Sequence, residues 1–342
     1  MTRSPGALAV LAALLLVAPF ALAQPLVYVT DPGSNTLTAI NSGSNTITRV
    51  VSGLTSARAL AISPDGSRIY VAASGSGDNG EVATIDGTKV ADQNQNPLIA
   101  KIRVGGKPIA VAYDARTGLL YVADAKNNQA VSYDLTKINP DNPKVVATYK
   151  ADDGLDAMAL APDGRMLALA STGAPDVTLY NLRLAAAGLS AKTVVKLSSK
   201  PRALAFSANG DTLWIATDAG FSGYSLATGG LTSKTLSGGT TSVAVAPRAK
   251  RVYFGAGIGK TVYAYDPAAG NVSNIATPGP VEGLSLSADG TRLYAVLHCS
   301  DCGAAVISTG NGQLMKQVHF GAGPETAGRF AGPGAIYAPN AA

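Results

Sequence analysis

The sequence predicts an all-β fold, and three observations lead to that prediction. Hydrophobic residues make up 46% of the 342 residues and charged residues only 14%, which leaves enough apolar surface for a large core. Glycine and proline are frequent, at 38 and 19 residues, as expected for many short strands joined by tight turns. Runs that alternate apolar and polar residues recur along the chain, and this period-two pattern is typical of half-buried strands.

The first 23 residues have the features of a secretory signal. Arg3 precedes an apolar run from Ala7 to Phe20, and Ala21-Leu22-Ala23 has the small residues of a cleavage site. The run is shorter than the roughly 20 residues that span a bilayer, so it favours export to the periplasm or the medium over a membrane anchor. We expect residues 24–342 to form a single domain.

One sequence pattern recurs along this domain: a small-apolar alternating run, a turn ending in glycine, and a second alternating run centred on tyrosine or tryptophan. Its copies begin at Ala57, Pro108, Asp156, Pro201, Thr241 and Val281. Two further alternating runs usually separate the copies. Turns such as Pro64-Asp65-Gly66 suit hairpins, because glycine accepts a positive φ. Each unit therefore supplies about four antiparallel strands, which is the size of a propeller blade.

The two ends of the chain complete the count of blades. The segment from Leu26 matches the second, third and fourth strands of a unit, and the segment from Gly321 resembles a first strand, which we place at Pro324. We therefore predict a seven-bladed β-propeller of four-stranded antiparallel blades with about 46 residues each. Pairing of the C-terminal strand with the N-terminal blade is expected to close the ring.

Several blades carry a recognisable motif. Tyr28-Val29-Thr30-Asp31 with Ser34-Asn35-Thr36, and Tyr121-Val122-Ala123-Asp124 with Asn127-Asn128, resemble the YVTN repeat of bacterial seven-bladed propellers; Ile69-Tyr70-Val71-Ala72 is similar. The resemblance covers essentially all of residues 24–342. This family, within the lactonase-like and WD40-like superfamily, includes exported proteins, surface-layer proteins, DNA-binding periplasmic propellers and lactonase-like enzymes. The resemblance therefore implies a fold and does not select a function.

Equivalent positions across the blades give the strongest candidate site. The residue near the start of each first strand is expected beside the central channel. These ring positions are Arg58, Ile109, Asp156, Arg202, Thr241, Glu282 and Glu325. The guanidinium of arginine binds carboxylates or phosphates through two parallel hydrogen bonds, and carboxylates accept hydrogen bonds from hydroxyl groups. We predict a ligand site formed by Arg58, Asp156, Arg202, Thr241, Glu282 and Glu325. A structural ring of paired charges that fills the channel is the alternative.

A second cluster runs from His298 to Gly303 and contains Cys299 and Cys302. It is expected on the same face as the ring positions. In an exported protein, two cysteines three residues apart most simply form a disulfide, so we predict the bond Cys299–Cys302. A metal site that also uses His319, or redox-active thiols, are the alternatives. Gly303 stands where a c-type haem site needs histidine. We expect no cofactor and no bound metal.

The composition disfavours the known catalytic propellers. With 2 His, 2 Cys and 1 Trp, the chain cannot form a multi-histidine centre or a four-cysteine zinc ribbon. Lactonase-like propellers commonly carry a histidine in the motif that opens a first strand, where this chain has Ala203. Quinone-cofactor propellers carry a tryptophan in nearly every blade, whereas Trp214 is alone here and is expected in the core. The same core role is expected for the second-strand tyrosines, which are Tyr70, Tyr121, Tyr253 and Tyr294.

These observations predict an exported, monomeric, non-catalytic binding or scaffold module rather than an enzyme. It would recognise an unidentified polar small molecule or protein partner at the channel mouth. A lactonase-like hydrolase that uses the same carboxylates is the alternative. A periplasmic DNA-binding propeller is a third hypothesis, disfavoured because the formal net charge is only +5 and the basic residues form no broad stripe.

Overall fold

The computed structural model describes residues 26–137, 142–246, 251–287, 289–299 and 303–319. These residues form a seven-bladed propeller in which each blade is an antiparallel sheet, as predicted. Six of the sheets have four strands, and the described part of the first has three. The predicted signal, residues 1–23, and the predicted closing strand at Pro324 lie outside the described residues. None of the helices within those residues is long and apolar enough to cross a membrane.

The strands of each blade follow one another in chain order from the channel outward. Blade 1 has β1 (Leu26–Asp31), β2 (Thr36–Asn41) and β3 (Thr46–Val51). Blade 2 has β4 (Ala57–Ile62), β5 (Arg68–Ala73), β6 (Glu81–Asp86) and β7 (Leu98–Arg103). Blade 3 has β8 (Pro108–Asp114), β9 (Leu119–Asp124), β10 (Gln129–Asp134) and β11 (Val145–Lys150). Blade 4 has β12 (Leu155–Leu160), β13 (Met166–Ser171), β14 (Asp176–Asn181) and β15 (Lys192–Lys196).

The remaining blades repeat this order. Blade 5 has β16 (Pro201–Phe206), β17 (Thr212–Thr217), β18 (Gly220–Ser225) and β19 (Leu231–Thr235). Blade 6 has β20 (Ser242–Val245), β21 (Val252–Gly255), β22 (Thr261–Asp266) and β23 (Asn271–Ala276). Blade 7 has β24 (Val281–Leu286), β25 (Arg292–Leu297), β26 (Ala304–Ser308) and β27 (Leu314–Val318). The helical segments among the described residues are short, such as α1 (Leu182–Ala186).

The ring is closed by contact between the first and last blades. A buried cluster joins Val27, Val29 and Ile40 of blade 1 to Tyr294 and Val306 of blade 7. The first strands of blades 2 to 7 contact one another in sequence around the channel. Burial of both faces of each sheet against its neighbours supplies the core that the 46% hydrophobic composition predicted.

The buried side chains of the inner strands are both small and large. The first strands bury small residues such as Ala59 and Ala159 together with larger ones such as Phe206. The predicted core tyrosines, including Tyr253 and Tyr294, are buried, and so is Trp214. Burial raises the pKa of Tyr70 to about 12, since the core disfavours the phenolate. These aromatic residues are structural, as predicted.

The predicted hairpin turns carry glycine in the left-handed region. Gly66 has φ 70°, and the equivalent glycines of three other blades also have positive φ. In the same turn Ser63 Oγ donates to Asp65 Oδ1 (2.6 Å), and Ser67 Oγ donates to Asp65 Oδ2 (2.8 Å). The hydroxyl of Ser63 is the largest of the hydrogen-bonding effects that hold the pKa of Asp65 below its ordinary value.

Gly223→Ala should destabilise the protein by about 1 to 3 kcal/mol, because the added methyl overpacks the core. A Cβ on Gly223 would lie 2.6 Å from Cζ3 of Trp214, a residue that packs edge-on against Phe221 and Phe254. Urea unfolding would measure the loss of stability. Gly310→Ala is the matched control, because the nearest atom to its added Cβ is 3.8 Å away. Equal stability of the two variants would contradict the packing of Trp214 on Gly223.

Asp65→Asn should remove part of the pH dependence of stability. A carboxylate whose folded pKa is lowered stabilises the protein above its unfolded pKa, and this stabilisation is lost as pH falls through the lower folded value. The wild type should therefore melt at a higher temperature than the variant at pH 7. The two melting temperatures should converge below about pH 4, where the unfolded-state aspartate titrates. A constant difference between pH 7 and pH 2 would contradict this account, and Ser63→Ala should give an intermediate pH profile.

Candidate functional site

A β-bulge opens most of the first strands, and a ring position occupies each bulge. The pairing register between first and second strands shifts at Arg58, Ile109, Asp156, Arg202 and Glu282, so each of these is an extra residue without a cross-strand partner. In blade 6 Thr241 directly precedes the strand. A bulge re-aims the side chain of its extra residue. The sequence alignment of the blades therefore found positions that share one backbone geometry.

The structure brings four of the predicted site residues together. Asp156, Arg202, Thr241 and Glu282 line one cavity at the channel, with apolar walls that include Met158. The cavity measures about 20 Å³, which is room for about one water molecule. A ligand larger than water would therefore rest on the mouth, against these side chains, rather than enter the channel.

Each ring position faces a second residue that lies sixteen positions later in the sequence. These partner positions, in the loop between second and third strands, are Ser74, Ala125, Thr172, Asp218, Gly257 and His298. In five blades the partner's backbone N–H donates to the carbonyl two residues before the ring position. The donor–acceptor pairs are Ser74–Ser56 (3.3 Å), Ala125–Lys107 (2.9 Å), Thr172–Gly154 (2.8 Å), Asp218–Lys200 (3.0 Å) and His298–Pro280 (2.8 Å). This hydrogen bond fixes the partner residue beside the bulge.

In blade 5 the ring and partner positions form a bidentate ion pair. Arg202 Nε donates to Asp218 Oδ1 (2.5 Å), and Nη2 donates to Oδ2 (2.9 Å). The two side chains are 38% and 43% exposed, so the pair contributes roughly 0 to 1 kcal/mol to stability. Its main effect is to orient the guanidinium at the mouth.

The electrostatic environment of Arg202 reflects several carboxylates. The hydrogen bonds to Asp218 raise the pKa of Arg202 above its ordinary value, against the opposing effect of partial burial. The negative charges of Asp156 and Glu282 act in the same direction as those hydrogen bonds. Arg202 therefore lies within the field of carboxylates from blades 4, 5 and 7.

In blade 7 the ring and partner positions are a carboxylate and an imidazole. His298 Nδ1 lies 3.4 Å from Glu282 Oε1, with side chains that are 48% and 26% exposed. A carboxylate beside Nδ1 favours the tautomer with its proton on Nδ1, which leaves Nε2 as a hydrogen-bond acceptor. The mouth thus contains a base that is oriented by an acid.

The other predicted site residues differ from this pattern. Thr241 Oγ1 donates to the carbonyl of Val281 (2.6 Å), so its hydroxyl links blades 6 and 7. Arg58 is a ring residue on the opposite side of the channel and is not among the residues lining the cavity, while its carbonyl accepts from Thr30 Oγ1 (3.2 Å). Glu325 lies outside the described residues. The roles predicted for Arg58 and Glu325 in ligand binding remain predictions.

The cysteine pair also remains a prediction, because Cys302 lies outside the described residues. Cys299 packs against the hydrophobic cluster of blades 6 and 7, next to His298. Within the described part of the chain, no group of three or more His, Cys, Asp or Glu side chains is arranged to hold a metal ion.

A larger cavity of about 240 Å³ lies away from the channel, between blade 3 and the loop after β7. Its carboxylate, Asp124, accepts hydrogen bonds from the backbone N–H groups of Lys107 (2.8 Å) and Lys126 (3.0 Å) and from Asn127 Nδ2 (2.5 Å). Asp124 therefore holds two loops together.

The contact of His298 with Glu282 and that of Asp218 with Arg202 were not predicted from the sequence. His298 was grouped with the cysteines, and Asp218 was not singled out. The constant separation of sixteen residues from a charged ring position is the signal in the sequence that could have found both.

Comparison with known protein families gives one match. The model of a family described as "Lactonase, 7-bladed beta-propeller" matches residues 33–221, more than half of the chain. Among curated proteins, no sequence matches significantly. The propeller part of the predicted resemblance is thereby confirmed, while the YVTN-repeat assignment remains a prediction.

Several solved structures share the fold. Hydrazine synthase of Kuenenia stuttgartiensis is 19% identical, with a TM-score of 0.68 over 84% of this chain and 96% of that chain. A candidate 6-phosphogluconolactonase of Bacteroides uniformis is 15% identical, with a TM-score of 0.67 over 89% and 99% of the two chains. A candidate 6-phosphogluconolactonase of Bacteroides fragilis is 14% identical, with a TM-score of 0.69 over 90% and 99%. At these identities the likeness concerns the fold alone.

The family match overturns the prediction of a non-catalytic binding or scaffold module, and it favours the alternative, a lactonase-like hydrolase. The physical reason for the error is the position of the imidazole. Ala203 does occupy the strand-opening place in blade 5, but His298 brings an imidazole to the same mouth from a loop of blade 7.

Proposed function

Because the chain belongs to the lactonase family of seven-bladed β-propellers, we propose that it hydrolyses lactones at the channel mouth. The observation that carries the proposal is the contact of His298 with Glu282, which lines the same cavity as Arg202. Hydrolysis of a cyclic ester needs a base for water and a positive group for the developing oxyanion. The channel mouth provides His298 as the base and Arg202 as the positive group.

His298 is the proposed general base. With its Nδ1 proton directed to Glu282, Nε2 accepts a proton from a water molecule as the water oxygen bonds to the lactone carbonyl carbon. Glu282 stabilises the imidazolium that forms, in the manner of the acid in a catalytic triad.

Arg202 is the proposed oxyanion partner. Nε and Nη2 are held by Asp218, and Nη1 takes no part in that fork. Nη1 can therefore donate to the carbonyl oxygen as it becomes negatively charged. The tetrahedral intermediate then breaks its bond to the ring oxygen, and the imidazolium returns the proton to that oxygen. The sum is one water added and one hydroxy acid released, with His298 restored.

We further propose that the enzyme acts after export, because residues 1–23 have the features of a secretory signal. The predicted disulfide Cys299–Cys302 belongs to the same proposal. It would constrain the loop that carries His298, and an oxidising compartment would preserve it.

His298→Ala and Glu282→Gln should each lower kcat/KM for lactone hydrolysis. The loss for His298→Ala should be about 100-fold or more, since a positioned base contributes a factor of this order. Proton release from a panel of γ- and δ-lactones, corrected for spontaneous opening, measures the rate. His319→Ala is the matched control, because it removes the second histidine, which follows the outer strand β27.

The control should keep wild-type activity, and thermal melting should show that all three variants are folded. Wild-type rates in His298→Ala, or equal losses in both histidine variants, would contradict the assignment of His298 as the base. If the wild type opened no lactone in the panel faster than buffer, the proposed function itself would be wrong.

A further inference from the structure

At the ring and partner positions of blades 4 to 7, the described side chains carry more negative than positive charge. Asp156, Asp218 and Glu282 are three carboxylates, and Arg202 is the guanidinium among them.

The guanidinium of Arg202 is also already paired with a carboxylate. Proteins bind phosphates and carboxylates most strongly through two parallel N–H donors of a guanidinium. In Arg202 that fork is directed to Asp218, with distances of 2.5 and 2.9 Å. An anionic group on a substrate would have to displace a carboxylate that is already paired with good geometry.

Two lysines of blades 3 and 4 are also paired with carboxylates. Lys126 forms an ion pair with Asp78, and Lys196 Nζ lies 2.7 Å from Asp176 Oδ2. Lys200 is exposed two residues before Arg202, and within the described part of the chain it forms no ion pair.

We propose, on the basis of the lactone hydrolysis inferred above, that the substrate is an uncharged, hydroxyl-rich lactone that lacks phosphate and carboxylate groups. Its hydroxyls can donate to carboxylates such as Asp156, which accept several hydrogen bonds each. A phosphorylated sugar lactone would meet like charge at the mouth, and such juxtaposition is strongly unfavourable.

The same charges act on the product. Ring opening converts a neutral ester into a hydroxy acid that is ionised at neutral pH. The carboxylate forms where Asp156, Asp218 and Glu282 surround a single guanidinium, so repulsion favours its release. The excess of negative charge thus selects a neutral substrate and limits inhibition by the anionic product.

The test compares glucono-δ-lactone with 6-phosphoglucono-δ-lactone on the purified protein. We expect kcat/KM for the phosphorylated lactone to be lower by about tenfold or more, and we expect added salt to narrow the gap by screening the repulsion. A preference for the phosphorylated lactone, or a rate with it that falls as salt is added, would overturn the inference. If Lys200→Ala abolished such a preference, the phosphate site would be assigned to Lys200 instead.

Asp218→Asn tests whether the ion pair with Asp218 keeps Arg202 from binding a phosphate. The variant should raise the ratio of phosphorylated to neutral lactone in kcat/KM, because it removes one negative charge and loosens Arg202. Asp211→Asn is the matched control, since it changes the same residue type in the same blade, in the turn where Asn209 Nδ2 donates to Asp211 (2.8 Å). An unchanged ratio in Asp218→Asn, or an equal change in the control, would count against the inference.

Binding separates this inference from the proposed function. Glucose and glucose 6-phosphate differ by the same phosphate group as the two lactones, and neither can be hydrolysed. Calorimetric titration therefore compares their binding without turnover. Weaker binding of glucose 6-phosphate supports the inference even if neither lactone is opened, in which case only the proposed activity fails. Tighter binding of glucose 6-phosphate would overturn the inference whatever the hydrolysis assay shows.

Discussion

The β-bulge at the start of the first strands is the constraint on which the channel mouth depends. It inserts one residue that has no partner in the ladder, and so it places a side chain at the channel without disturbing the pairs that follow. A backbone hydrogen bond from the loop of the same blade, such as His298 to Pro280, then holds a second side chain beside the first. The closed ring of packed blades brings these pairs together from several directions. Arg202–Asp218 and Glu282–His298 are two products of a single repeated geometry.

Much of this architecture could be predicted from the sequence because it is encoded locally. Alternating runs specify strands, Asp65-Gly66 specifies a hairpin, and the repetition of both specifies blades. The ring positions were also predictable, since equivalent positions in a repeat have equivalent places in space. The pairing of ring residues with residues of the loop between second and third strands was harder to predict, because it depends on the register and on the bulge, and the constant separation of sixteen residues is its one trace in the sequence. Ala203 at the strand-opening place disfavoured a hydrolase, and His298 was assigned to the cysteine cluster rather than to the ring site, although a loop brings His298 to Glu282.

Packing and chemistry occupy different parts of the same blade. Apolar side chains fill the space between blades, as where Trp214 and Phe221 of blade 5 pack against Phe254 of blade 6. The exposed pair Arg202–Asp218 adds little to this stability. The site therefore rests on a scaffold whose folding energy comes from elsewhere, so residues at the mouth are free to be chosen for reactivity and charge.

The fixed separation between ring and partner positions has a consequence for divergence. Each blade offers the mouth a two-residue slot, and the occupants of one slot can change by point substitution while the ladder and the core stay as they are. In blade 4 the slot holds Asp156 and Thr172, in blade 5 a salt bridge and in blade 7 an acid and a base. New specificity in such a propeller can therefore arise one blade at a time, and the slots can be compared between distant sequences without aligning anything but the hairpins.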